Sequence, residues 1–259
     1  AVERVRAAIA DVDRVPMNVD ELVIGTICGG SDGTSGITAN PAVGRAFDRL
    51  VAAGAACIFE ETGELVGCET IMADRAATPE LAIAIEACVH KAEHYYTIMG
   101  FGSFAPGNAE GGLTTQEEKS MGAYSKSGSS IIHGILKPGD LPPTGGPSLL
   151  DVVPRCEPRF GVPNFAVTAE IVALSARGAH LTLFTTGRGS VVGSAISPVI
   201  KICANPDTAR RLAADMDVNA GRILEGEATL EQVGAEIYDK VLAVAGGDRS
   251  ISESLGHQE

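Results

Sequence analysis

The sequence predicts an α/β domain: a mostly parallel sheet with helices on both faces and an irregular, glycine-rich central insertion. Three observations carry this. Short apolar runs rich in branched residues alternate with stretches of helical periodicity, which implies crossover connections and strands buried on both sides. The chain is 45% hydrophobic with only 4% aromatic residues and 31 glycines, a composition suited to small-residue packing of helices on a sheet. No linker long enough to separate two domains interrupts the pattern, so residues 1–259 are expected to form one elaborated domain.

The elements follow in order. Val2, Val5, Ile9 and Val12 stand at helical spacing with charges between them, predicting an amphipathic helix over 1–13. The run 21–27 reads as a buried strand that empties into the glycine-rich turn 28–33. Asn40-Pro41 opens a helix to about Ala53, with proline placed where a backbone amide would have no partner. A second strand, 55–59, ends in Glu60, Glu61 and Glu64, and Pro79 starts a helix reaching about Tyr96. From 100 to 147 the chain is rich in Gly, Pro and Ser, with one helix predicted around Thr115 to Tyr124; so irregular a stretch is commonly functional. Strands are then predicted at 148–153, 180–184 and 199–204, and helices near 165–177, 206–214 and 229–245.

Charge narrows the function. With 20 basic and 33 acidic side chains the net charge is −13, which repels phosphate backbones and anionic membrane surfaces. No run approaches the roughly 20 apolar residues of a membrane span, and no secretory signal is visible, so a soluble, cytoplasmic protein is expected, with self-association left open. The chain begins at Ala1 and its polar end has no evident stop signal, so it reads as part of a longer protein. Six cysteines without CxxC pairs do not form a disulfide framework. Cys57, Cys68, Cys88 and Cys203 lie in apolar surroundings and read as buried small hydrophobes, whereas Cys28 and Cys156 remain open as thiolates or metal ligands.

In an open parallel sheet the ligand crevice lies beyond the carboxyl ends of the strands. Three segments there carry chemistry. The glycines of Cys28-Gly-Gly-Ser-Asp-Gly33 let backbone amides approach a ligand and present Cys28, Ser31 and Asp32; the spacing is neither a dinucleotide fingerprint nor a P-loop. Glu60, Glu61 and Glu64 repel one another unless a cation or shared proton relieves them, so they form either a solvated acidic loop or half of a metal site. Glutamate oxygens with a Cys28 or Cys156 thiolate suit Fe(II), Mn or Mg better than a structural zinc. Thr185-Thr-Gly-Arg-Gly189 offers two hydroxyls and a guanidinium able to clamp a carboxylate in bidentate fashion. The segment 104–112 and the lysines Lys119 and Lys126 are placed to close over such a site. His90 and His94, four apart on a helix, read as one exposed face.

Together these segments resemble the catalytic domain of the altronate and galactarate dehydratase family, which includes sulfolactate sulfo-lyase. The matching stretches are Cys28–Asp32 with Ser35-Gly36, Ala39–Gly44, Glu61-Thr-Gly-Glu64, Pro106-Gly-Asn108 with Gly111-Gly112, Glu118-Lys119, Lys126-Ser-Gly128, Phe184–Gly189, Pro198–Lys201 and Asn219-Ala-Gly221. They run in order from about residue 20 to 245. The resemblance implies a Rossmann-like sheet with an unusual crossover, a divalent metal, and elimination from a hydroxy acid. It implies Asp32, Lys119, Lys126 and Arg188 in catalysis, with Asp32 or a neutral lysine as base. It places Ser31, Asn40, Asn108, Thr185, Thr186 and Arg188 against the substrate, and Cys28, Glu61 and Glu64 on the metal. It also implies a small β-rich partner module, fused or separate, that this chain does not encode. Phe104-Ala105 in the loop before Asn108, and the stretch Leu149–Pro154, are more similar to the sulfo-lyase branch than to the sugar-acid dehydratases. Glu170 stands in a region where the dehydratases tend to carry a cysteine.

Overall fold

The computed structural model describes residues 3, 4, 7, 8, 12, 13, 15–59, 62–99, 106–137, 139–143, 145–153 and 167–258. Seven strands form one sheet: β1 (Val23–Cys28), β2 (Ala56–Phe59), β3 (Gly134–Leu136), β4 (Gly146–Leu150), β5 (Leu181–Thr186), β6 (Val199–Cys203) and β7 (Val218–Asn219). Their spatial order is β3-β4-β2-β1-β5-β6-β7, and every pairing is parallel. The helices are α1 (Ala39–Ala52), α2 (Glu69–Ala73), α3 (Pro79–Met99), α4 (Pro106–Glu110), α5 (Gln116–Lys126), α6 (Val167–Ser175), α7 (Pro206–Arg211), α8 (Leu230–Ala245) and α9 (Ile251–Leu255).

Strand side chains alternate between two apolar layers, as the period of a strand requires. Ile24, Cys57, Phe59, Leu149, Leu181, Leu183, Ile200 and Ile202 face the larger layer, completed by Ala42, Val43, Ala46, Phe47 and Leu50 of α1, Ile85 and Val89 of α3, and Val233, Ile237 and Val241 of α8. Ile27, Ile58, Leu150, Phe184 and Val199 face the other, where Ile171 and Leu174 of α6 cover them. The lack of a side chain at Gly25 is what allows α6 so close: a Cβ there would stand 2.9 Å from Leu174 Cδ1. The expected two-faced parallel sheet is therefore present. Caps fix the helix starts: Thr115 accepts from Glu118 N, Asn205 from Asp207 N and Thr208 N, and Thr229 with Gln232 forms a capping box.

Three expectations shift. The region 100–147 contains α4 and the edge strand β3; both are too short to show a period. The strand expected at 148–153 is set earlier, at 146–150, because Gly146 continues the register beside Ala56. The two-residue β7 had no signal of its own. The helix expected over 1–13 lies largely outside the described residues, as do Cys156, Glu60 and Glu61.

From β1 the sheet extends through β2 and β4 to the edge strand β3 on one side and through β5 and β6 to β7 on the other, so the switch point lies between β1 and β5. The β5–β6 crossover, residues 187–198, contains no helix.

Candidate active site

Backbone bonds lace the ends of β1 and β5 together. Gly29 N donates to Thr185 O at 3.0 Å, and Gly30 O accepts from Gly187 N and Arg188 N at 3.1 and 2.9 Å. Gly30 has φ +64°, a conformation that glycine adopts without strain. Asp32 sits where three strand ends meet. Its Oδ1 accepts from Thr34 N, Thr34 Oγ1 and Ser35 Oγ, and its Oδ2 from Asn205 Nδ2 at 2.9 Å beyond β6. Gly187 leaves room for that carboxylate, since a Cβ there would lie 2.1 Å from Asp32 Cγ.

Cys28, at the last position of β1, is buried. Its thiol donates to Glu64 Oε2 at 3.4 Å and accepts from Ser31 Oγ at 3.2 Å. Glu64 lies on a 3-10 turn, Thr62–Leu65, directly after β2. The buried ammonium of Lys119 pairs with the other oxygen of Glu64. Lys119 comes from α5, which reaches the strand ends by lying unusually close to α1. A Cβ on Gly122 would stand 3.1 Å from Gly36 Cα, and one on Gly44 only 2.2 Å from Ser125 O. Asn40 bridges the halves, donating to Gly122 O at 3.1 Å and accepting from Thr185 Oγ1 at 2.8 Å.

The turn after α5 is held from two sides. Asp48 of α1 accepts from the amides and hydroxyls of Ser129 and Ser130. Arg75 donates to Ser127 Oγ and to the carbonyls of Ser127 and Ser130, and stacks over Tyr124 at 5.4 Å. Burial holds the Arg75 pKa below its ordinary value, a shift that Tyr124 and Asp48 partly reverse. Lys126, the last residue of α5, is buried.

Residues 106–112 form a short cover over the loop after β1. Gly33 N donates to Gly111 O at 2.9 Å, and a Cβ on Gly111 would stand 2.9 Å from Ser31 O. Arg188 fastens this cover, donating to Gly107 O and Glu110 Oε2. Beside the loop after β1 lies a cavity of about 10 Å³, room for about one water molecule, lined by Cys28, Ser31, Asp32, Asn40, Glu64, Glu118 and Lys119 among others.

Of the residues singled out from sequence, Cys28, Ser31, Asp32, Asn40, Glu64 and Lys119 thus line one cavity. Thr185 is one hydrogen bond away through Asn40. Thr186 Oγ1 accepts from Gly189 N and supports the turn. Asn108 and Arg188 belong to the cover and its fastening, and Glu61 lies outside the described residues. Among the described residues no three His, Cys, Asp or Glu side chains converge as a metal site. Cys28 and Glu64, a sulfur and an oxygen donor 3.4 Å apart, fit as two ligands of a single borderline cation. Sequence reasoning missed Asn205, whose Asn-Pro capping signature at a strand end was a usable signal, and Glu110, Asp48 and Arg75, which carried none. The histidines behave as expected: His90 is exposed beside Glu93 and His94 is exposed. Cys57, Cys68 and Cys203 are buried, and burial raises all three thiol pKa values, that of Cys203 to about 11. Cys88 is only partly buried and donates to Asp151 Oδ2, with its pKa pushed up to about 12 by burial and by that carboxylate.

A doubly wound α/β domain with a thiol, carboxylates and a buried ammonium gathered at its switch point is thereby defined. Residues 19–259 match the family described as D-galactarate/Altronate dehydratase, C-terminal, and the chain belongs to that family. It is 35% identical over 257 residues to (2R)-sulfolactate sulfo-lyase subunit beta of Chromohalobacter salexigens, covering 96% of this chain and 63% of that protein. It is 37% identical over 235 residues to galactarate dehydratase (L-threo-forming) of Escherichia coli, covering 88% and 42% respectively. It is 35% identical over 237 residues to altronate dehydratase of Bacillus subtilis, covering 90% and 45%. The chain thus spans less than two thirds of the length of these curated relatives. Among the described residues no helix is long and apolar enough to cross a membrane.

Proposed function

We propose that this domain is the catalytic part of a lyase that eliminates a β substituent from a 2-hydroxy acid, with (2R)-sulfolactate as leading substrate and pyruvate plus sulfite as products. The observation that carries it is the Cys28–Glu64–Lys119 cluster beside Asp32 at the switch point, in a chain whose relatives are named as a sulfo-lyase and as dehydratases. The C2–H bond breaks, its electrons form C2=C3, and the C3–S pair leaves with sulfite; the resulting enol takes a proton at C3 and gives up its hydroxyl proton to become the keto acid. A proton α to a carboxylate is weakly acidic, so the charge that builds on the carboxylate must be stabilised as the proton leaves. Arg188 supplies one positive group for this purpose. Lys119, which lines the cavity beside Glu64, is the base we favour. Asp32, with both oxygens engaged by Thr34, Ser35 and Asn205, holds the loop in position. Ser31 and Asn40 line the pocket, Thr185 supports it through Asn40, Thr186 holds the turn at Gly189, and Lys126, buried at the end of α5, is the alternative base. A divalent metal held by Cys28 and Glu64, with Glu61 as third ligand, would add Lewis-acid stabilisation, and Fe(II) suits the mixed donor set.

Altronate or galactarate is the second reading, supported by the relatives of those names. The subunit designation of the sulfo-lyase relative supports a small separate partner, for which we propose the β-rich module. The test is keto-acid release from sulfolactate, altronate and galactarate by Fe(II)-loaded chain combined with that module under reducing conditions. Product from sulfolactate alone supports the leading reading, and no product from any of the three refutes the lyase. Arg188→Ala should raise KM and lower kcat; unchanged kinetics would remove Arg188 from the carboxylate.

A further inference from the structure

The guanidinium read as a substrate clamp is already occupied. Arg188 Nη1 donates to Gly107 O at 2.8 Å and Nη2 to Glu110 Oε2 at 3.1 Å. The edge between these two nitrogens is one that a carboxylate grips in bidentate fashion, and α4 supplies both acceptors that fill it. The same segment lies on the loop after β1 through the Gly33–Gly111 bond. Within it Asn108 Nδ2 is buried and has no hydrogen-bond partner, a donor built into the cover and left for something else to satisfy. A hydroxy acid therefore cannot take that edge of Arg188 unless Gly107 O and Glu110 give it up, which moves 106–112.

We propose that Glu110 is a built-in competitor for the substrate carboxylate on Arg188, so that a 2-hydroxy carboxylate selects itself by exchanging with Glu110 and releasing residues 106–112. The inference rests on the reading of Arg188 as a carboxylate clamp. One carboxylate replaces another on the same guanidinium, so Arg188 is not left without an anion during entry. Neutral molecules of the same size lack the charge to drive the exchange. The pair is exposed, with the Arg188 and Glu110 side chains 44% and 68% accessible, as a fastening that must open in each cycle requires. Pairs of that kind shift an equilibrium by about two- to five-fold.

Hydrogen exchange of the Gly33 amide, which is bonded to Gly111 O across the contact between the loop after β1 and 106–112, reads the opening directly in the intact chain. Glu110→Gln is expected to speed its exchange about two- to five-fold. Sodium lactate, a 2-hydroxy carboxylate, should speed it in the unaltered chain more than sodium chloride of equal ionic strength. The half-maximal lactate concentration should fall in Glu110→Gln, and the lactate effect should vanish in Arg188→Gln. Equal exchange in lactate and chloride, or unchanged exchange in Glu110→Gln, overturns the proposal. Neither readout needs turnover, so absence of keto acid would count against the lyase and leave this result standing.

Discussion

Replacing Lys119 by methionine tests whether the cluster at the switch point is held by charge. The Lys119 and Glu64 side chains are 6% and 19% exposed, so their pairing takes place largely out of water. At a contact distance of about 3 Å and an effective dielectric constant of about 20, the Coulomb attraction is about 5 kcal/mol. Desolvation of both groups offsets much of it, but removing one partner leaves the other charged and poorly solvated, which costs about 3–5 kcal/mol. Glu64 would keep the Cys28 thiol as a donor and, at 19% exposure, can turn partly to solvent, which favours the lower end, about 3 kcal/mol. For a domain of this size that is a fall in Tm of about 6–12 °C. Lys119→Met with Glu64→Gln removes both charges and should recover most of the loss. Urea melts of the four members of the cycle, in metal-stripped protein at neutral pH, are expected to show a coupling of at least about 2 kcal/mol. Strict additivity, with coupling under about 0.5 kcal/mol, would refute an electrostatic origin for the cluster.

Three further outcomes follow from other contacts. Gly44→Ala places a methyl 2.2 Å from the Ser125 carbonyl and must push α5 away from α1; a loss of about 1–3 kcal/mol is expected in melts, together with reduced activity although residue 44 does not line the cavity. Asp48→Ala frees the amides and hydroxyls of Ser129 and Ser130 and should cost about 2 kcal/mol, with Asp48→Asn recovering part of it; equal stability of both variants with the unaltered chain would show the turn holds itself. Lys201 is fully buried, and burial lowers its pKa despite the pull of Asp215 and Asp217. The unfolded chain then binds the Lys201 proton more tightly, so stability should rise with pH between the folded-state pKa and about 10.5, and Lys201→Met should lack that rise.

How far the sequence reaches is visible in particular residues. The two strand ends were legible to within two residues, expected at 27 and 184 and found at Cys28 and Thr186, because buried parallel strands are continuous apolar runs bounded by glycine, and a chemically loaded turn after such a run stands out. Parallel pairing followed from the alternation with helices. The order of the sheet did not, since no local signal says that β4 inserts between β2 and β3. Glu110 was invisible as a partner of Arg188 because an ion pair across about 80 positions leaves no trace in spacing. The roles of Asn40 and Thr185 were foreseen only as substrate contacts; their hydrogen bond to each other joins α1 to β5.

The cationic half of the cavity explains why so much glycine lies away from the strand ends. Loops after strands bring Cys28, Asp32 and Glu64 together by topology alone, but those loops supply thiol and carboxylates, which without a cation repel. The buried ammonium comes from α5, a helix on one face of the sheet, and it reaches the crevice only because α5 and α1 approach more closely than side chains permit. Gly36 and Gly44 meet Gly122 and Gly128 along that contact, and Gly128, at φ +70°, has Asp48 Oδ1 only 2.5 Å from where a Cβ would stand. Asp48 and Arg75 then fix the turn at the end of the helix. Placement of Lys119 against Glu64 therefore depends on the glycine contacts that α5 and the turn after it make with Gly36 and Gly44. In a chain of net charge −13, the hydroxy-acid substrate proposed above would be won by a few inward-held cations rather than by the protein's long-range field, which repels anions.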